Sequence, residues 1–185
     1  LTIARPVLEA PVIINVPKQK THVLTELTCA VNNLYGVIPG FQKTTLHKLH
    51  PQPADFGRML AALYAQVRPT LTIVDAVVGM DGEGPSAGRI CPLGLLGGSA
   101  DAVAMDAVLC RLLHIPLARV PTFAPLREWG LGETEERNIT LCGDAPGTLA
   151  LPPFHLPSTL PLSRIPRWVV RLLQPFVWTR PYFTD

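Results

Sequence analysis

The chain has 185 residues, 48% of them hydrophobic and 16% charged, with a formal net charge of +2. That composition fits one domain with a real core and excludes a disordered segment. The small, scattered positive charge excludes the concentrated basic face that nucleic-acid binding needs.

No stretch reads as a membrane span: the longest uncharged run, residues 145–163, carries five prolines, and proline breaks a helix interior. The opening Leu1-Thr-Ile-Ala-Arg5 lacks the basic-then-apolar order of a signal peptide. Cys29, Cys91, Cys110 and Cys142 are widely spaced, without a C-x-x-C pair. They read as buried free thiols, which points to the cytoplasm. The missing initial Met fits a piece of a longer protein.

Taken in chain order, Pro11–Val16 is a short β-rich run ended by Pro17. Val23, Leu24, Leu27, Val31 and Leu34 recur at helical spacing, with Gly36 where a helix terminates. Phe56, Met59, Leu60, Leu63, Tyr64 and Val67 predict a second helix, ended by Pro69. Leu71–Val78 is almost continuously apolar, the pattern of a strand buried on both faces. A Gly-rich loop over residues 81–88 follows, then a third strand over Leu93–Leu96. Gly97-Gly98-Ser99 leads into a helix over about residues 100–113, with Ser99 as its cap and Asp101 in its first turn. Arg137–Cys142 is the last predicted strand. This order predicts an α/β fold, a mostly parallel sheet with flanking helices, over residues 1–145. Eight of the 20 prolines fall after residue 145, so residues 146–185 are expected to be a Pro-rich arm, with one helical stretch over Arg167–Gln174.

If the strands are parallel, the loops at their carboxyl ends meet in one crevice. Three polar loops would then converge. Lys18, Lys20 and His22, with Ser99 at a helix start, would bind a small anion. Asp81, Glu83 and Asp101 would act as metal or proton partners. Each residue also has a plain structural reading: solvated lysines, a capping aspartate, glycines that only make turns. Asp75 and Asp106 lie among apolar neighbours and need a hydrogen-bonding partner. His47 and His50 stand at i and i+3, where two imidazoles could share a metal, or sit on a loop before Pro51.

Four blocks in order carry a family likeness: INVPKQKTH (Ile14–His22), TCAVNNLYGVIPG (Thr28–Gly40), VDAVVGMDGEGPSAG (Val74–Gly88) and GGSADAVAMDAVLCRLL (Gly97–Leu113). They resemble the domain of unknown function 362 family over about residues 10–143. Pro11 and Asn32 depart from the Asp and Lys often found there. A fainter likeness joins the strand-loop-His-helix-Gly pattern to the amino-terminal domain of nickel-dependent lactate racemases. The resemblance implies a domain found beside ferredoxin-like iron–sulfur segments, with the family's first strand-helix region missing here. It implies no cofactor in this chain itself, and a 4Fe-4S cluster, if any, elsewhere in the full-length protein. Two functions follow as expectations. One is a ligand-binding or catalytic domain of an iron–sulfur redox protein. The other is a non-catalytic docking scaffold for a neighbouring electron-transfer module.

Overall fold

A computed structural model describes residues 1–158, so the predicted stretch Arg167–Gln174 lies outside the described residues. The fold is α/β, a mixed sheet flanked by helices. A short helix α1 (Arg5–Glu9) precedes strands β1 (Ile14–Asn15), β2 (Lys18–His22) and β3 (Glu26–Thr28). Next come the one-turn α2 (Ala30–Asn33), a 3-10 turn (Leu34–Val37), α3 (Gln42–Leu49) and α4 (Pro53–Val67). The long strands β4 (Leu71–Asp81) and β5 (Arg89–Ser99) lead to α5 (Ala102–Leu112) and α6 (Phe123–Glu128).

β1 and β2 lie on one edge of β4 and run parallel to it, with Ile14 opposite Leu71 and Lys18 opposite Asp75. They form one path interrupted at Val16-Pro17, because proline offers no amide to the ladder. β3 folds back antiparallel on β2, and β5 pairs antiparallel with the other edge of β4. Asp81 thus faces Arg89 at one end of the sheet, and Thr72 faces Ser99 at the other.

Helix α4 follows its predicted apolar stripe. Pro53 stands in its first turn, and Arg68, at φ 37°, caps it in the left-handed region. Buried residues of α4, α5 and α6, including Phe56, Leu60, Val103, Phe123 and Leu126, pack in one cluster with Val74 and Ala76 of β4. Gly57 lets α6's approach come close, since a Cβ there would lie 2.4 Å from the Pro121 carbonyl oxygen.

Several sequence expectations are corrected. The pattern from Val23 to Leu34 is not one helix. Glu26, at φ 62°, starts β3, and only Ala30–Asn33 turns helical; Leu27, Val31 and Leu34 are buried all the same. Residues 18–22 form a strand, not a loop. The strand predicted over Leu93–Leu96 extends from Arg89 to Ser99 as the second arm of a hairpin, and Arg137–Cys142 is not a strand among the described residues. Asp101, not Ser99, caps α5, its carboxylate accepting from the amides of Val103 and Ala104; the Ser99 hydroxyl accepts from the Asp101 amide.

The most consequential correction concerns β4. Its apolar run is not buried on both faces: Thr72, Val74 and Ala76 are covered, while Ile73 is 40% exposed. The rows beside it are equally open, with Ile14 at 57% and Leu96 at 72%. The described helices cover one face of this sheet and leave an apolar outer face.

Candidate functional site

Because β2 and β4 are parallel, their carboxyl ends bring residues 20–25 and 81–88 together. The Val23 amide donates to the Gly84 carbonyl at 3.1 Å. A Cβ on Gly84 would lie 2.2 Å from the Thr21 carbonyl oxygen, so only glycine permits this approach. Two of the three expected loops therefore meet.

The third does not. β5 runs antiparallel to β4, so Ser99 and Asp101 emerge at the Thr72 end, opposite to Asp81. Nine strand residues at about 3.3 Å each put roughly 30 Å between the two ends. The expected pocket uniting residues 17–22, 81–88 and 97–101 is not formed, because β4 and β5 make an antiparallel hairpin where a parallel pair is expected.

Each candidate side chain has a local partner. Lys18 Nζ lies 2.8 Å from Asp75 Oδ2 on the outer face, and the lysine, with the Val77 amide, holds the Asp75 carboxyl below its ordinary value. Lys20 stands in register with Met80 on that same face, half-buried. His22 Nδ1 accepts from the amides of Leu24 and Thr25 at 3.0 and 3.3 Å. Burial, with His47 nearby, pushes its pKa down to about 4. A neutral imidazole whose acceptor is already taken offers no charge to an anion.

Asp81 is 2% exposed and receives Arg89 through Nε and Nη2 at 3.1 and 2.9 Å. The His155 amide donates to the same carboxylate at 2.9 Å, and His155 Nδ1 lies 3.0 Å away. Burial raises the Asp81 carboxyl, but Arg89 and His155 outweigh it and leave it below the usual range. The Arg89 guanidinium also abuts His155 Nδ1; that nitrogen either donates to Asp81 or accepts from Arg89, not both. Glu83 receives the amide and hydroxyl of Ser158, which hold its carboxyl below the ordinary value. Gly82 donates to the His155 carbonyl at 2.7 Å. Residues 151–158 thus form a strap tied across the loop after β4, with Leu151, Phe154 and Leu156 packed on the core.

Elsewhere, Asp101 also receives the Glu133 amide at 2.8 Å. Buried Asp106 accepts from the Ala30 and Val31 amides at 2.7 and 2.9 Å, so α5 supplies the cap of α2. Burial pushes its pKa up to about 6 against those two bonds. His47 stacks on Phe56 at 4.5 Å between centroids, with Tyr35 edge-on to both; burial lowers its pKa. His50 caps the end of α3. Among the described residues, no group of three or more His, Cys, Asp or Glu gathers as a metal site would need. A separate groove of about 500 Å³ lies between α5, the Leu95–Ser99 end of β5 and residues 139–149. It is lined mainly by apolar side chains and has Ser99 on its wall.

Sequence reasoning missed Arg89, His155 and the capping role of Asp106. A signal existed only for Arg89: two apolar runs separated by a Gly-Pro-Ser-Ala-Gly loop form a hairpin, which sets Arg89 opposite Asp81. His155, in a proline-rich segment, gave none.

A family described as a domain of unknown function (DUF362) matches residues 1–111. The chain belongs to the DUF362 family. Among curated relatives, the thylakoid-associated protein sll1697 of Synechocystis sp. is 33% identical over 161 residues, 86% of this chain and 50% of the relative. The chain therefore spans about half the length of that relative. No solved structure matches. Among the described residues no helix is long and apolar enough to cross a membrane.

Proposed function

We propose that this DUF362 chain is a non-catalytic docking domain, and that its outer sheet face receives another module of the same assembly. One observation carries the reading. On that face Ile14 of β1, Val16 just after it, Leu71 and Ile73 of β4, and Ile90 and Leu96 of β5 are each 36% or more exposed. In a mixed sheet such as this one, a face left to water is ordinarily polar; exposed apolar residues gathered on one face, here around the Lys18–Asp75 pair, mark an interaction surface. The polar residues that suggested catalysis are, by contrast, consumed by local contacts: Lys18 with Asp75, Asp81 with Arg89 and His155, Glu83 with Ser158.

The module is proposed to be of electron-transfer type, carrying an iron–sulfur cluster outside this chain, as the family resemblance implies. The thylakoid association of the Synechocystis relative supports an assembly held at a membrane surface in preference to one free in the cytoplasm. The competing reading, a small-anion site at Lys18, Lys20 and His22, makes the opposite forecast. Tagged chain is purified from its native host as wild type, as Ile73→Asp with Leu96→Asp, and as Lys18→Ala with Lys20→Ala. Recovery of iron- and sulfide-containing protein should fall tenfold or more with the first pair and hold with the second. Retained recovery with the Asp pair, together with inorganic phosphate binding that the Ala pair abolishes in calorimetry, would refute the docking reading.

A further inference from the structure

The groove beside α5 does not end where β5 does. Its first part, about 500 Å³, lies between α5, the end of β5 and residues 139–149. A second part, about 400 Å³, runs on along α5 to Arg111 and His114. The two share Val108, Leu112, Ile139, Leu141 and Leu149 as walls, so they form one trough. Ala104, Val108, Arg111 and Leu112 stand three and four residues apart and so share one flank of the helix. From Ala104 to Arg111 that flank is roughly 10 Å long.

The trough is apolar along its length and charged at the Arg111 end. There Arg111 Nη2 donates to the Thr134 carbonyl. Its Nε lies 3.6 Å from Glu136 Oε2, on a side chain that is 83% exposed. Nη1 is buried and has no partner among the described residues. Native proteins rarely leave a buried donor without an acceptor, and an exposed carboxylate at that distance is a weak partner. An anionic group at this end would accept from Nη1 and take the place of Glu136. Asp144, the other carboxylate on the walls, borders only the part away from Arg111.

We propose that the trough binds a medium-chain carboxylate, its head on Arg111 and its alkyl chain along α5 between Val108, Leu112, Leu141 and Leu149. Charge complementarity selects this occupant: an alkane or alcohol leaves Nη1 without an anionic partner, and a bare anion leaves the apolar walls in water. The size is ordinary for a small-molecule site, about 300–1,000 Å³. The inference stands apart from the docking reading, because the trough lies on the helix-bearing side, against Val74 and Ala76 of β4.

The test is calorimetry of the full chain with octanoate, decanoate and 1-octanol, all below their micellar range. Octanoate should bind at least ten times more tightly than 1-octanol. Decanoate should gain roughly another tenfold, since two further methylenes leave water. Arg111→Met keeps an unbranched apolar stem and removes the charge; it should abolish the preference for octanoate while 1-octanol binds as before. Arg111→Lys should restore part of that preference. Leu141→Asp, at a wall position that is 50% exposed, should weaken both carboxylates tenfold or more, with circular dichroism confirming the fold. Equal binding of octanoate and 1-octanol, or a preference that survives Arg111→Met, would overturn the proposal. Affinities independent of chain length would overturn it too, reducing the site to a surface ion pair. Absence of binding by either carboxylate would also overturn it; a dimer in sedimentation that Leu141→Asp disperses would then give the trough to a second copy.

Discussion

His22 gives the sharpest physical forecast. Folded, its pKa is about 4 because burial excludes the charged ring and His47 stands nearby, while Nδ1 accepts two amides; unfolded, it returns to about 6.5. The unfolded chain therefore binds the proton first, and stability falls as pH drops from about 6.5 towards 4. At pH 5 the gap corresponds to about 2 kcal/mol from this residue alone, or about 1 kcal/mol once partial solvent screening is allowed for.

Asp106 acts in the opposite sense. Its folded pKa of about 6 lies above the ordinary carboxyl value, so protonation favours the folded state and offers about 1 kcal/mol in return at pH 5. The wild-type curve should consequently fall less between pH 7 and 5 than His22 alone dictates, with half-buried His47 adding a loss of the same sign. His22→Asn separates the two, because Asn keeps an acceptor at the Nδ1 position and does not titrate. Urea unfolding followed by far-UV circular dichroism, at pH 7.5, 6 and 5 with reductant present, measures both proteins. On acidification the variant should gain stability relative to wild type, the difference growing to about 1–2 kcal/mol at pH 5. Parallel curves would refute the assignment of His22 as a buried neutral acceptor.

Asp106→Ala should cost about 2–4 kcal/mol in the same assay, because the Ala30 and Val31 amides lose a shared buried acceptor. Asp101→Ala should cost about 1–2 kcal/mol through the lost cap of α5, read as a lower urea midpoint. Gly57→Ala should lower the midpoint of thermal unfolding by several degrees, since the added methyl meets the Pro121 backbone and over-packing costs about 1–3 kcal/mol. Lys18→Ala should change stability by under about 0.5 kcal/mol, the usual worth of an exposed ion pair; a larger loss would mean that Lys18 does more than pair with Asp75. Asp81→Asn should free the strap at His155, seen as faster proteolytic cleavage within residues 151–158 while the urea midpoint of the rest falls less than for Asp106→Ala.

What the sequence made legible was the α/β class, helix α4 with its terminus, helix α5, and the core positions Leu27, Val31 and Leu34. These depend on local periodicity, which survives even where the element was misjudged. The region from Val23 to Leu34 failed because spacing records which residues are buried, not whether one helix or a strand and a turn buries them. Glu26 in the left-handed region left no mark in composition. The site failed for a different reason: its expected convergence depended on strand direction, a long-range property. A single antiparallel hairpin, β4 to β5, moved Ser99 and Asp101 to the far end of the sheet. His155 and Asp106 act over 74 and 75–76 residues of sequence separation, beyond the reach of any local pattern.

The disagreement over β4 turns this failure into evidence. Its continuous apolar run predicts cover on both faces, and that expectation follows from the cost of leaving apolar surface in water, about 25 cal/mol per Å². The described helices satisfy only the inner face, so the run still calls for something over Ile73, Leu96 and Ile14. The polar loops make no comparable demand, because each carboxylate singled out in the sequence already has a partner at hydrogen-bonding distance. Unsatisfied chemistry is the better guide to function than conspicuous chemistry. Here it lies on the exposed sheet face, and that is why the docking reading follows from the fold more directly than catalysis does.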